Sequence, residues 1–327
     1  MKKIAIIAPN RHHFGNIMTQ LPLFCALRKK YPDAEITVWT KLETHQFLIK
    51  CKAVDKVEVF KGNSLLKLIF RLRKEKYDEL FNIYSGSEKA HIASAFSGAI
   101  KKLGFSNNKW MSFCYDYFLV VQKGQRYIAF NNLALLNYFD KIEVKPSIIS
   151  MLNETDNQLH KIKKETLSVV LVPGGGAGSY KRWDINNYCE TAKYLLETCK
   201  SVEVIQFVLG PGEKKYLSVI HKMLPQNKVK IYDAPSVPTL IELAEDSDLV
   251  IGNDCGPMHI FQMMESPIIM LWGWGDDGCS PIETMREWFY PNEHSWSMVP
   301  SIHHKTINSI PVRKICLLSN MILSRNN

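Results

Sequence analysis

The stretch Asp248–Trp272 constrains the fold most. Leu249-Val250-Ile251 is a short apolar, β-branched run of the kind that forms a buried strand. It stops at Gly252-Asn253-Asp254. Gly256-Pro257 then opens a helix, with proline near the first turn, where its missing N–H leaves no gap. Ser266-Pro267 closes that helix, and Ile268–Leu271 returns as a second buried strand. A strand–loop–helix–strand unit of this kind belongs to a parallel sheet with helical crossovers. Its loop sets free backbone N–H groups, the Asp254 carboxylate and the His259 imidazole at a helix N-terminus. Such an end attracts phosphate through its unpaired N–H groups and its dipole. Two readings of the side chains stay open: Asp254 caps the helix and His259 packs in its first turn, or both face a ligand.

A second stretch has the same design. Val169–Pro173 reads as a buried strand and runs into Gly174-Gly175-Gly176-Ala177-Gly178-Ser179-Tyr180-Lys181-Arg182-Trp183. Glycines let a backbone approach a ligand closely, and Ser179, Lys181 and Arg182 add a hydroxyl and two cations. Asp184 is placed to cap the helix that follows, to about Cys199. The spacing is neither that of a P-loop nor that of a dinucleotide fingerprint.

The remaining chain alternates in the same way. Strands are expected at Ile4–Ala8, Glu35–Trp39, Val57–Phe60, Glu79–Ile83 and Ala99–Leu103 in the first half. Val202–Leu209 and Lys228–Tyr232 follow in the second. Helices lie at about Ile17–Tyr31, Ser64–Glu75, Ser87–Phe96, Arg126–Asp140, Glu213–Leu224 and Ile307–Leu323, with a further one opening at a capping box, Thr239 to Glu242. Phe105–Lys123 and Trp272–Trp296 read as irregular, and Lys141–Glu165 as a polar linker. The alternation implies an α/β chain of two doubly wound, Rossmann-like domains facing across a cleft, 1–150 and 166–305, with a terminal segment 306–327 expected to pack back toward the N-terminal domain. Ligands of such sheets bind at the carboxyl ends of the strands. The loops Pro9–Asn16, Gly174–Arg182 and Asn253–His259 all lie at such ends.

Composition narrows the partners. The formal charge of +9 favours anionic ligands: a phosphorylated substrate, nucleic acid or an anionic membrane surface. No nucleic-acid motif is present. The eight cysteines show no C-x-x-C pair, as expected for free thiols in the cytoplasm. No secretory signal and no run near the ~18 apolar residues of a membrane span is seen.

Three motifs, in order, carry a resemblance. Phe14-Gly15-Asn16 through Leu21-Pro22, Pro173-Gly174 through Lys181-Arg182-Trp183, and Asn253-Asp254-Cys255-Gly256-Pro257-Met258-His259 resemble the corresponding segments of glycosyltransferase family 9, the heptosyltransferases of lipopolysaccharide core assembly. The resemblance implies a GT-B fold and a nucleotide-sugar donor, usually ADP-heptose. The acceptor implied is an anionic glycolipid or lipopolysaccharide core, with room for peripheral contact at the inner membrane surface. No cofactor or metal is implied: a cation and helix N–H groups can neutralise the leaving diphosphate. Carried onto this chain, Gly174, Gly175, Gly176, Ser179, Lys181, Asp254, Gly256, Pro257, Met258 and His259 bind the donor. Lys181 meets the diphosphate and Asp254 the sugar hydroxyls, while His259 either touches a phosphate or holds the loop.

The chain departs from the family at Asn16, where the family has the aspartate that resembles a base for the acceptor hydroxyl. An amide cannot take that proton. His13, with His12 in reserve, sits in the same loop and titrates near neutrality. Either replaces the aspartate, or the chain is a nucleotide-sugar or glycan-binding relative impaired in catalysis. Arg11, Lys101, Lys102, Lys109 and Lys123 are the basic residues expected to hold an anionic acceptor.

Overall fold

The structure is a computed structural model that describes residues 1–8, 14–41, 43–60, 64–121, 124, 126–138, 166–175 and 178–325. It divides into two compact units: Met1–His12 with Thr19–Leu152, and His13–Met18 with Asn153–Asn327. The linker expected at 141–165 lies outside the described residues.

The first unit is built on β1 (Lys3–Ile7), β2 (Glu35–Thr40), β3 (Lys56–Val59), β4 (Glu79–Asn82), β5 (Lys101–Ser106) and β6 (Tyr117–Val120), in the order β3-β2-β1-β4-β5-β6. Every pairing in it is parallel. The second unit holds β7 (Val169–Val172), β8 (Ile205–Leu209), β9 (Val229–Asp233), β10 (Leu249–Asn253), β11 (Ile268–Leu271) and β12 (Ser295–Met298) in a parallel sheet of order β12-β11-β10-β7-β8-β9. Read from β9, the second sheet repeats the topology of the first. The central strands are covered on both faces, which is why they read as unbroken apolar runs rather than alternating ones.

The helices begin where the sequence offers caps. In the first unit α2 (Leu21–Lys30) is followed by α3 (Phe47–Lys50), α4 (Leu65–Glu75), α5 (Glu88–Ala95) and α6 (Ile128–Leu133). Ser64 caps α4 by accepting from Lys67 N, and Ser87 caps α5 by accepting from Ala90 N. In the second unit Asp184 accepts from Asn186 N to open α7 (Ile185–Thr198), and α8 covers Leu217–Met223. The cap of α9 (Val237–Asp246) is Ser236, not Thr239. Pro238 sits inside the first turn, where its missing N–H needs no partner, so the helix starts before it.

Two stretches expected to be irregular are structured. Phe105–Lys123 contains the end of β5 and the edge strand β6. Trp272–Trp296 contains α11 (Pro281–Trp288), capped by Ser280, and the start of the edge strand β12. Both edge strands are short and only half buried, so neither carries the apolar run that marks a central strand.

The short helix α1 (Phe14–Met18) packs on α10 (Gly256–Met263) and belongs with the second unit. The C-terminal helix α12 (Val312–Leu323) packs on α7, and its Ile315, Ile322 and Leu323 join the core of the second unit. Asn320 Nδ2 donates to Tyr194 Oη at 2.9 Å across that contact. No helix among the described residues is long and apolar enough to cross a membrane. If α12 is part of that core, Ile315→Ala will destabilise the protein by about 2–5 kcal/mol, the usual cost of truncating a fully buried isoleucine. Urea denaturation checks it, and a loss below about 1 kcal/mol contradicts the assignment.

Candidate functional site

In the second unit β7, β8 and β9 extend the sheet one way and β10, β11 and β12 the other. β7 and β10 are therefore neighbours at the point where strand order reverses. Loops leaving the carboxyl ends of two such strands diverge and open a crevice. The glycine loop leaves β7 there, and Asp254 and Cys255 lead from β10 into α10.

Asn253, the last residue of β10, ties these loops together. It is fully buried. Its Nδ2 donates to Pro173 O at 2.8 Å and to Gly174 O at 3.2 Å. Its Oδ1 accepts from Tyr188 Oη at 2.9 Å and from Trp183 N at 3.2 Å. All of the amide's hydrogen-bonding capacity is used within the protein, so Asn253 fixes the site rather than binding ligand.

Beside it, Lys181 Nζ donates to Asp254 Oδ2 in a largely buried ion pair. Burial acts to lower the Lys181 pKa, but the Asp254 carboxylate outweighs it and leaves the group above its ordinary value. Asp254 does not cap α10: the cap position is Cys255, whose thiol burial pushes up to about 12. Arg182, grouped with Lys181 in the sequence, spends its Nε on Gly175 O at 2.9 Å. Ser179 is exposed on the turn before Lys181.

His259 is buried, its Nε2 3.8 Å from Asp254 Oδ1. Its partners set the tautomer. Gln262 Oε1 accepts from Tyr290 N at 2.9 Å, which fixes the Gln262 amide. Gln262 Nε2 then donates to Trp288 O at 3.1 Å and to His259 Nδ1 at 2.7 Å. Nδ1 is an acceptor, so the ring proton sits on Nε2, on the side of Asp254. Burial lowers the His259 pKa to about 4, with Asp254 acting to raise it and Lys181 to lower it further. His259 is thus a neutral donor, not a base.

Asn16 lies on α1, whose Gly15 packs on His259. A Cβ on Gly15 would stand 3.1 Å from the His259 ring, and one on Gly256 would stand 2.9 Å from Gly15 N. Glycine at both positions lets α1, which carries Asn16, seat against the first turn of α10. Arg11, His12, His13, Lys123 and Gly176 lie outside the described residues.

Lys101 and Lys102 are not where an acceptor site would need them. β5 begins at Lys101, so both stand at the amino end of the strand, opposite the edge where ligands bind. Gly98, with φ of 77°, turns the chain into the strand later than the sequence suggested. Lys102 Nζ pairs with Asp116 at 3.3 Å. Lys109 is exposed after the carboxyl end of β5.

Two features of the carboxyl edges were not singled out from the sequence. Glu213 follows β8 and is 7% exposed, its carboxylate lying over Gly174 and Gly210. Among the described residues it has no side-chain hydrogen bond or ion pair. Its signal was Gly210-Pro211-Gly212, a third glycine turn after a strand. In the first unit, Asn82 at the end of β4 donates to Tyr115 Oη at 2.5 Å, and the His91 Nδ1–Tyr115 Oη distance is also 2.5 Å. His91 Nε2 lies 3.1 Å from Ser85 O, which can only accept, so Tyr115 donates to Nδ1. This buried relay holds the turn after β4. Nearby, a cavity of about 20 Å³ is lined by Lys41, Ser64, Tyr84, Ser87 and Lys89.

Comparison with known proteins decides the family. The profile of glycosyltransferase family 9 (heptosyltransferase) matches residues 65–288. The lipooligosaccharide heptosyltransferase 2 of Campylobacter jejuni serotype O:6 is 31% identical over 275 residues, covering 80% of this chain and 74% of its own length. The chain belongs to glycosyltransferase family 9. It is therefore a glycosyltransferase. The lipopolysaccharide heptosyltransferase 2 of Escherichia coli is 21% identical over 296 residues, 83% of this chain and 82% of the relative. Among solved structures, Escherichia coli ADP-heptose LPS heptosyltransferase II superposes with a TM-score of 0.68 at 18% identity over 100% of both chains. An Escherichia coli heptosyltransferase with ADP gives 0.69 at 12% identity, covering 99% of this chain and 100% of the other. These likenesses identify the fold as GT-B.

The lowered histidine pKa has a measurable consequence. His45, buried beside Gln20, is also held down to about 4 by burial. As pH falls below about 6.5 the unfolded chain takes up protons on these rings before the folded chain does. Stability present above about 6.5 is therefore lost between about 6.5 and 4, by on the order of 3 kcal/mol per histidine. Urea midpoints at about pH 7.5 and 4.5 should show the drop, and NMR should find His259 neutral and Nε2-protonated at about pH 5.5. Titration of His259 near 6.5 contradicts the buried donor.

Proposed function

We propose that this glycosyltransferase moves heptose from ADP-heptose onto a lipopolysaccharide core or related phosphorylated glycolipid, by one inverting displacement without a metal. The observation that carries the reading is the Lys181–Asp254–His259 group at the β7–β10 crossover, where cationic and N–H donors converge beside one carboxylate. The heptosyltransferase relatives, and the neighbour solved with ADP, support the donor class. Among the described residues no group of three or more His, Cys, Asp or Glu side chains is placed to hold a metal. Lys181, His259 Nε2–H and the N–H groups of Gly256 and Met258 take the charge that develops on the diphosphate. Pro257 starts the helix without an N–H, and Gly174, Gly175, Gly176 and Ser179 let the phosphates approach the other wall. Glu213 accepts the vicinal hydroxyls of the ribose, a pairing that suits a buried carboxylate with no hydrogen-bond partner for its side chain among the described residues. Asp254 is repelled by phosphate and accepts from the sugar hydroxyls.

The acceptor oxygen attacks the anomeric carbon as ADP leaves, and its proton must go to a base. Asn16 orients that hydroxyl, and His13, or His12 in its place, removes the proton. Arg11, Lys109, Lys41 and Lys89 offer cations to a phosphorylated acceptor. Lys101 and Lys102 are withdrawn from that role by their place at the amino edge.

Two predictions test this. In the free protein Lys181 is held by Asp254, so Asp254→Asn releases the cation. ADP binding should stay level or tighten, while ADP-heptose turnover falls by about 10²-fold or more as sugar contacts made in the transition state are lost. Calorimetry with ADP and steady-state kinetics check it; equal losses of ADP and ADP-heptose binding assign Asp254 to the loop alone. If His13 is the base, transfer declines as pH falls through about 6–7, and His13→Ala costs about 10²–10⁴-fold in turnover with donor affinity kept. Wild-type turnover in both His12→Ala and His13→Ala removes the two from that role. The observation of asparagine at position 16 favours a second reading, a donor-binding relative without transfer. Under it the wild type binds ADP-heptose without turnover and Asn16→Asp creates activity.

A further inference from the structure

α4 presents an outward face of unusual composition. Leu68 and Leu72 turn into the core of the first unit beside Ala90 and Ala93 of α5. On the opposite side Leu66 is 78% exposed and Phe70 71% exposed. Positions 66, 70, 73 and 74 share one face of a helix. Lys67, Arg73 and Lys74, all exposed, therefore border the two apolar side chains. No acidic residue lies on that face. Glu75 is turned away and stands 3.7 Å from Lys3, and Glu58 is taken by Arg71 at 2.5 Å. Scattered exposed hydrophobics need no explanation, but an apolar pair bordered by three cations, with no acid on the same face of α4, is a specific surface. Phe96, 58% exposed, ends α5, which packs on α4, and Arg73 lies against Gly98 two residues on.

We propose that the outer face of α4 is the surface by which this protein docks on an anionic lipid bilayer. A helix lying in the headgroup plane inserts its apolar side chains between acyl chains and keeps its lysines at the phosphates. The charge complementarity selects the partner: a basic rim without acids repels a basic surface and gains from anionic lipid. A second copy of this chain would bring the same cations face to face. The orientation also serves the site. Ser64 and Leu65, at the start of α4, line the cavity with Lys41 and Lys89 at the carboxyl edge of the sheet. A bilayer at α4 thus lies next to the edge proposed to receive a lipid-borne acceptor. Docking rests on the acceptor reading only for this purpose, since vesicle binding needs neither donor nor turnover.

The test is co-sedimentation of the full chain with phosphatidylcholine vesicles, with and without phosphatidylglycerol. Wild type should sediment with the anionic vesicles only and be released by salt. Lys67→Gln/Lys74→Gln should lower the partition coefficient about 30-fold, since each cation near an anionic surface contributes about a factor of five. Leu66→Ser/Phe70→Ser should lower it by at least about tenfold. Both variants should keep wild-type turnover with a lipid-free acceptor fragment. The proposal is overturned if wild type ignores anionic vesicles at low salt, or if both variants bind as wild type does. It is also overturned if Leu66→Ser/Phe70→Ser dissolves a self-association of the chain and leaves vesicle binding unchanged.

Discussion

The proposed donor site depends on one buried amide. Asn253 holds the end of β10 to the end of β7 through Pro173 O and Gly174 O, and holds both to the start of α7 through Trp183 N and Tyr188 Oη. Two loops that diverge from a parallel sheet would otherwise leave carbonyls and an N–H unpaired in the crevice they open. Asparagine is suited to this position because it offers two donors and two acceptor lone pairs at once. Aspartate there would confront two carbonyls with a charge, and leucine would abandon four buried partners. With that amide in place Lys181, 73 residues from Asp254 in the chain, reaches it directly.

The charges around the clamp suit the anionic donor proposed for it. One carboxylate holds one lysine, and a histidine kept neutral by burial presents an N–H beside them. A neutral imidazole avoids a second buried cation, yet keeps an N–H to offer the phosphate of the proposed donor. The α10 N-terminus adds donors already oriented by the helix. Preorganised donors of this kind stabilise a leaving diphosphate without moving when the reaction occurs.

Much of this was legible in the sequence, for a physical reason. Central parallel strands are buried on both faces, so VVLV, LVI and IIML declared themselves, although β10 runs on through Gly252 to Asn253. The caps Ser64, Ser87 and Asp184 stand directly before their helices, as local hydrogen bonding requires. The edge strands β6 and β12 escaped because they are half buried and lack such runs. Lys101 and Lys102 were misread because a strand's apolar residues do not say where it begins: β5 starts two residues later than expected and runs on to Ser106. The Lys181–Asp254 pair and the buried carboxyl-edge position of Glu213 depend on which strands are neighbours, and local pattern carries no record of that. Asn253 was visible in its motif, but its role as a clamp appears only when β7 lies beside β10.

Acceptor-dependent formation of ADP tests the central claim most directly. The protein is incubated with ADP-heptose and a phosphorylated core acceptor in the presence of a chelator, and both products are followed by mass. The account predicts one ADP released for each acceptor that gains one heptose, no release without acceptor, and no effect of the chelator. Binding of ADP-heptose with no acceptor-dependent ADP would contradict transfer, and loss of transfer on chelation would contradict a diphosphate neutralised by Lys181 and the α10 N-terminus.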